Sequence, residues 1–297
     1  MRVLILGGTG MLGHKLWQEC SIRFEAWAAI HRSFQESSGR DVLDAGRVVE
    51  GVEAADFSTV ESALAQVQPE VVVNCIGIVK QSAEAKNPIP TLAINALFPH
   101  RLARACRDRD IRLIHISTDC VFSGRRGMYT EEDASDAEDL YGRSKFLGEV
   151  EGTGCLTLRT SFIGPELSRG VGLLEWLLSQ PAGADVPGYT HAIYTGFTSQ
   201  VLAGMIREII ALHPELCGIY HLASAPISKY DLLCMIKDQL ALPVSVRPAS
   251  EVRIDRSLNA AMFFEATGMR APGWEEMIQR LAVDREQYES RRLEWAT

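Results

Sequence analysis

Short apolar runs alternate with helix-like stretches along most of the chain. VLIL at 3–6, AWAAI at 26–30, VVVNCI at 71–76, LIHIS at 113–117 and CLTLRTS at 155–161 are continuously apolar or nearly so. A strand without polar alternation belongs in a parallel sheet covered on both faces. Between these runs, residues 11–20, 58–67, 91–107 and 141–151 carry helical patterning. This alternation predicts an α/β chain with a doubly wound parallel sheet. A segment at 47–55 is a weaker strand, and 32–46 is polar without a clear period. GIYHLAS at 218–224 reads as one more strand, preceded by an apolar helix at 198–212. Residues 165–197 and 225–297 carry more Pro, Gly and aromatics and break the pattern. They are expected to form a smaller, discontinuous lobe on a core made of 1–164 and 198–224.

Composition narrows the function classes. The 297 residues carry a net charge of −8, with Lys/Arg pairs but no basic run, which argues against nucleic acid as a partner. The seven cysteines are scattered and show no CxxC spacing, so buried reduced thiols are expected and a zinc site is not. No apolar segment approaches the roughly 18 residues of a membrane span. A soluble, cytoplasmic protein with no metal and no membrane partner is the expectation.

GGTGMLG at 7–13 follows the first strand and opens the first helix. Gly7, Gly10 and Gly13 suit a tight turn that lets backbone approach a pyrophosphate. The backbone of Thr9, Met11 and Leu12 completes a helix N-terminus able to hold phosphate. The second strand ends in Ile30-His31-Arg32, with no acid for a ribose 2′-hydroxyl. Arg32 would attract a 2′-phosphate, so NADPH is favoured, with NADH possible. Asp56-Phe57 follows the weak third strand. Asp56 could meet adenine or cap the helix at 58.

Tyr141 and Lys145 stand four residues apart and share a helix face. The lysine's charge is expected to lower the phenol's pKa. Ser117-Thr118-Asp119 ends the fifth strand, at the edge where such sheets bind ligands. Tyr141 could donate a proton to a carbonyl oxygen that Thr118 polarises.

HISTDCVFSG at 115–124, YGRSKFLGE at 141–149, LRTSFIG at 158–164 and GIYHLASAPISKYDLL at 218–233 carry a resemblance that spans most of the chain. The sequence resembles the extended short-chain dehydrogenase/reductases, and within them the dTDP-4-dehydrorhamnose reductase group. The resemblance implies a Rossmann-type fold with Thr118, Tyr141 and Lys145 as a catalytic triad. It also implies NAD(P)H reduction of a 4-keto nucleotide-linked deoxysugar, in an enzyme that could be a homodimer. Cys75, Ile76 and Gly77 would flank the nicotinamide, and Lys145 would bond its ribose. Lys80, Asp119, Val121, Phe162, Tyr189 and Gln200 are the expected substrate contacts, with Gln81, Asn95, His191 and Tyr194 as further candidates. Two features depart from the group: Phe162 stands where it has tryptophan, and EEDASDAEDL before Tyr141 is strongly acidic and is expected to be solvated. One relative of the group is a regulatory subunit of methionine adenosyltransferase, so a dinucleotide-binding subunit without catalysis is an alternative. Epimerisation or dehydration of a nucleotide sugar is another.

Overall fold

The computed structural model describes residues 1–167 and 172–295, with residues 287 and 289–295 described by backbone alone. Positions 168–171 and 296–297 of the predicted lobe lie outside the described residues.

The core is a seven-stranded sheet in which all neighbouring strands run parallel. Its strands are β1 (Arg2–Leu6), β2 (Glu25–Ala29), β3 (Val48–Val49), β4 (Val71–Asn74), β5 (Arg112–Ile116), β6 (Cys155–Arg159) and β10 (Gly218–His221). The order β10-β6-β5-β4-β1-β2-β3 reverses between β1 and β4. That switch point is where Rossmann-type sheets take up ligands. Helices cover both faces. One face of the sheet, including Val3, Ile5, Val73 and Ile114, packs with α1 (Gly13–Ser21) and α7 (Ser199–Leu212). The other face, including Leu4, Leu6, Val72 and Leu113, packs with α2 (Phe57–Val67) and α4 (Phe98–Arg107). The unalternated apolar strands of the sequence are thus explained by burial on both sides. The weak strand at 47–55 is reduced to two residues, and 32–46 holds only short 3₁₀ turns at Phe34–Glu36 and Ala45–Arg47.

The single helix expected over 91–107 is divided. A short α3 (Pro88–Thr91) runs into a π-helical stretch, Leu92–Leu97, before α4. Outside the seven-stranded sheet lie β7 (Phe162–Ile163), α6 (Leu173–Leu178), β8 (Asp185–Tyr194), β9 (Phe197–Thr198), β11 (Ile227–Ser228), α8 (Lys229–Gln239), β12 (Ser245–Asp255) and α9 (Ala261–Thr267), most of them in the segments expected to form the smaller lobe. β8 is central to a three-stranded sheet, antiparallel to β11 and parallel to β12, with α8 against it. The last helix, α10 (Trp274–Trp295), packs on α7 and α8. It also reaches α1, where Lys15 Nζ meets Asp284 Oδ1 at 2.5 Å, the two side chains being 1% and 4% exposed. Lys15 lies 4.3 Å over the Tyr288 ring.

Removing one partner of so buried a pair takes the counter-charge from the other, at a cost of about 3–5 kcal/mol. Asp284→Ala should therefore lower the free energy of urea unfolding by about that much. The double replacement Lys15→Met with Asp284→Leu should restore most of it. A loss below about 1 kcal/mol in the single variant would show that α10 does not dock through this pair.

Candidate functional site

The glycine turn links β1 to α1. Gly7 has φ +81°, and a Cβ on Gly13 would lie 2.1 Å from Gly7 O, so neither position admits a side chain without moving backbone. Gly7 and Gly8 N–H donate to Ala29 O, Gly10 N–H to Gly7 O and His14 N–H to Gly10 O. Among the described residues, the N–H groups of Met11 and Leu12 enter none of these turn bonds and lie at the start of a helix, where an anion is held. Leu12 itself is buried in the core, so its backbone is what it can offer. Thr9 is covered from outside by Gly39, whose Cβ position lies 3.0 Å from Thr9 Cγ2. His14 braces the turn from beneath. Its Nδ1 is 2.7 Å from Gly10 O, and burial pushes its pKa down to about 3, so a neutral ring donates to that carbonyl.

Beside the turn, β4 runs out into Cys75-Ile76-Gly77, and Gly7 abuts Cys75 and Ile76 backbone. Asn74 Oδ1 accepts from Ile76 N, and Asn74 Nδ2 lies 3.0 Å from His115 Nδ1 on the neighbouring strand. Asn95, in the π-helical stretch, is fully enclosed. It accepts from Ile78 N at 2.8 Å and donates to Ile78 O and to Ser144 Oγ. It therefore ties the end of β4 to the helix that follows β5.

That helix, α5 (Leu140–Leu147), is capped by Asp139, which accepts from Gly142 N at 2.7 Å. A Cβ at Gly142 would fall 2.1 Å from Cys120 O. Only glycine lets the first turn of α5 sit this close to the end of β5. There Thr118, extended at φ −146°, caps a 3₁₀ turn over Asp119–Val121 by accepting from Cys120 N. Thr118 Oγ1 donates to Asp119 Oδ1 at 3.2 Å. Tyr141, partly buried on this turn, is brought against Thr118, Asp119 and Cys120.

Charge balance at the pair departs from the expectation. Burial raises the phenol's pKa, Cys120 and Asp119 add to the rise, and the Thr118 hydroxyl opposes it. Lys145 is not what governs the phenol here: its Nζ donates to Ile116 O at 2.8 Å. Sharing a helix face does not join two side chains when one finds a carbonyl on the sheet. Burial lowers the Lys145 ammonium to about 8, against Glu149 and Cys75, which favour the charged form.

The acidic loop is paired rather than simply solvated. Asp133 bonds Arg126, Glu138 bonds Arg125, and Asp136 accepts from Ser123 N and Oγ at 2.6 Å. Asp139 also meets Lys80 at 2.6 Å, which places Lys80 at the edge of the Tyr141 turn. Two cations absent from the sequence reading face Asp119: Arg256, whose Nε donates to Phe122 O, and Lys229. No short motif marks them. They arrive from the residue after β12 and from the start of α8, through the tertiary fold.

The remaining candidates are more dispersed. His31 and Arg32 are exposed beyond β2, and His31 lies 3.7 Å from Glu53. Asp56 caps α2, accepting from Ser58 N and Oγ. Phe57 is a core residue edge-on to Phe98, and Val121 is wholly buried with Phe122 and Leu258. Phe162 pairs with Phe197 between β7 and β9. Tyr189 lies across from Ala249 on the lobe sheet, His191 is exposed two residues on, and Tyr194 packs on Trp274. Gln81 is exposed beside Lys80. Gln200 lines a different cavity, about 500 Å³ between α1, α7 and α10, with Glu19 and Arg207.

Among the described residues no helix is long and apolar enough to cross a membrane. The sequence matches the RmlD substrate binding domain family over residues 1–286. It is 30% identical over 233 residues, 75% of each chain, to the "Probable low-salt glycan biosynthesis reductase Agl14" of Haloferax volcanii. It is 26% identical over 264 residues, 84% of this chain and 75% of the other, to methionine adenosyltransferase 2 subunit beta of Rattus norvegicus. The structure superimposes on dTDP-4-dehydrorhamnose reductase from Bacillus anthracis, solved in complex with NADP, with a TM-score of 0.78 at 21% identity, covering 95% of this chain and 99% of that one. With the glycine turn, the Thr118 edge and the Tyr141 helix all lying inside the matched span, the chain belongs to the RmlD substrate binding domain family.

Proposed function

We propose that the protein is an NADPH-dependent reductase of the 4-keto group of a nucleotide-linked deoxysugar. The observation that carries this reading is the juxtaposition of the Tyr141 phenol and the Thr118 hydroxyl at the carboxyl edge of the sheet. The phenol is held in its protonated form, as a proton donor must be. Bound nicotinamide would supply hydride to the carbonyl carbon. Tyr141 gives its proton to the carbonyl oxygen as negative charge develops there, and Thr118, turning its hydroxyl away from Asp119 Oδ1, donates to the same oxygen. The turn from Gly7 to Gly13 takes the pyrophosphate, and Arg32 takes a 2′-phosphate. Lys145 holds the nicotinamide ribose, exchanging its bond to Ile116 O for the ribose hydroxyls. The lobe, with Arg256, Lys229 and Lys80 at its border with the core, meets the sugar nucleotide. The Haloferax relative's name as a reductase and the NADP in the Bacillus reductase support this assignment.

Likeness to the methionine adenosyltransferase subunit supports a second reading, a cofactor-bound partner protein. Tyr141→Phe separates the two. It keeps the ring and removes the donor, so turnover of a 4-keto nucleotide sugar should fall by about 10²–10⁴-fold while NADPH affinity is kept. A wild type inactive on a broad panel of such sugars would favour the partner reading.

Cofactor choice has its own test. Arg32→Ala should weaken NADPH about 10- to 150-fold, the worth of a charged hydrogen bond, and leave NADH nearly unchanged. Equal losses for both cofactors would remove Arg32 from this role.

A further inference from the structure

Behind the Thr118/Tyr141/Lys145 set lies a polar group that the reaction above does not use. Glu149 follows Lys145 by one helical turn, just past the end of α5. Its carboxylate accepts from Ser117 Oγ at 2.7 Å, from Arg159 Nε at 2.8 Å and from Arg159 Nη2 at 2.7 Å. The Glu149 and Arg159 side chains are 3% and 4% exposed. Arg159 Nη1 lies 3.2 Å from His221 Nε2, and its guanidinium lies 5.3 Å from the centre of the Phe122 ring.

A charge pair this deep is an expensive way to join a helix to two strands. Apolar side chains of similar volume often hold as well or better. What an apolar pair would not supply is a fixed anion, and this one sits at an informative place. Ser117 immediately precedes Thr118, and Lys145 is the preceding turn of the same helix. One carboxylate thus touches the strand end that carries the hydroxyl and faces the lysine.

We infer that Glu149 is a positioning residue for the reaction: it fixes Ser117, and through it Thr118, and it is the anion that balances the Lys145 ammonium. The first half rests on the proposed reductase activity; the second concerns this chain alone. Glu149 meets Arg159 from β6 and Ser117 from β5. Lys145 is faced by Glu149 from its own helix, by Cys75 from β4 and by His115 from β5. His115 is kept neutral by burial and by Lys145 itself, and burial likewise keeps the Cys75 thiol protonated, so Glu149 is the standing anion. The lysine's ammonium already titrates at about 8, and Glu149 acts to raise that value. Removing the charge must move it lower.

The test uses the full-length protein and Glu149→Gln, which keeps shape and removes charge. The Lys145 Nζ titration, followed by ¹⁵N-lysine NMR and assigned with Lys145→Met, should move about one pH unit toward acid. With NADPH and a keto-sugar, kcat should fall about 10- to 100-fold, KM should stay within about threefold, and the alkaline limb of kcat should move with the lysine. Glu149→Asp should restore the titration. An unmoved Lys145 titration in a folded Glu149→Gln protein overturns the inference. Where Glu149→Gln does not fold, Ser117→Ala carries the test: it removes only the hydroxyl, and kcat should drop severalfold with the Lys145 titration unmoved. An unchanged kcat there overturns the positioning role. A wild type that reduces no keto-sugar would instead defeat the proposed function, and the NMR titration would still decide the role of Glu149.

Discussion

The site depends on how closely the first turn of α5 approaches the end of β5. Gly142 makes that approach sterically possible, and Asp139 fixes the helix start over it. A helix displaced by even one ångström would separate the Tyr141 phenol from the Thr118 hydroxyl, and orientation of this kind is worth several kcal/mol to a reaction. The approach is over-determined. Asn95 ties Ser144 to the end of β4, and Glu149 ties the far end of α5 to Ser117 and Arg159. The helix is thus held to three successive strands of the sheet at its start, middle and end.

The smaller lobe takes part in the same constraint. The chain between β5 and α5 passes Tyr129, which stacks on Phe122 at 4.2 Å and pairs with Leu258 beyond β12. Its carbonyl lies 3.0 Å from His221 Nδ1 at the end of β10. The acids of this loop then close on Arg125, Arg126, Ser123 and Lys80. Exposed pairs like these contribute little stability one at a time. Their effect is to shape a strongly acidic segment so that its charge is answered locally. An acidic loop can then border a site proposed to take a dianionic nucleotide.

What was legible in the sequence follows from range. The glycine turn, the parallel strands and the helices around them are written in local patterns, and each appears within a few residues of its expected place. Thr118, Asp119 and Tyr141 could be grouped because a strand end and the next helix start are near in sequence. The lysine's effect on the phenol was misread, because helical spacing says which face two side chains share and not which carbonyl one of them finds. Arg256 and Lys229 had no local signature at all, since the lobe's topology brings them to Asp119 from more than a hundred residues away. Gln200 is expected at the substrate, whereas α7 carries it to a cavity against α1 and α10. The division of 91–107 into α- and π-helical parts had no signal either. It serves Asn95, whose contacts lie on other elements.

The groups around Tyr141 also bear on which reaction the site suits. Dehydration needs a base that takes a proton from carbon as well as an acid for the leaving oxygen. Cys120, the residue after Asp119, is pushed up to about 12 by burial and by Asp119, so it carries no useful thiolate at neutral pH. Asp119 and Asp139 are the carboxylates that act on Tyr141, and both are committed: Arg256 and Lys229 face Asp119, and Asp139 accepts from Gly142 N and meets Lys80. Among the described residues, Tyr141 is then the proton-transfer group that faces Thr118, and burial keeps it protonated. A neutral donor in this place supports the proposed reaction, in which a proton is added to a carbonyl oxygen while hydride adds to carbon. It is poorly matched to elimination, which would ask the same edge of the sheet for a second, ionised group.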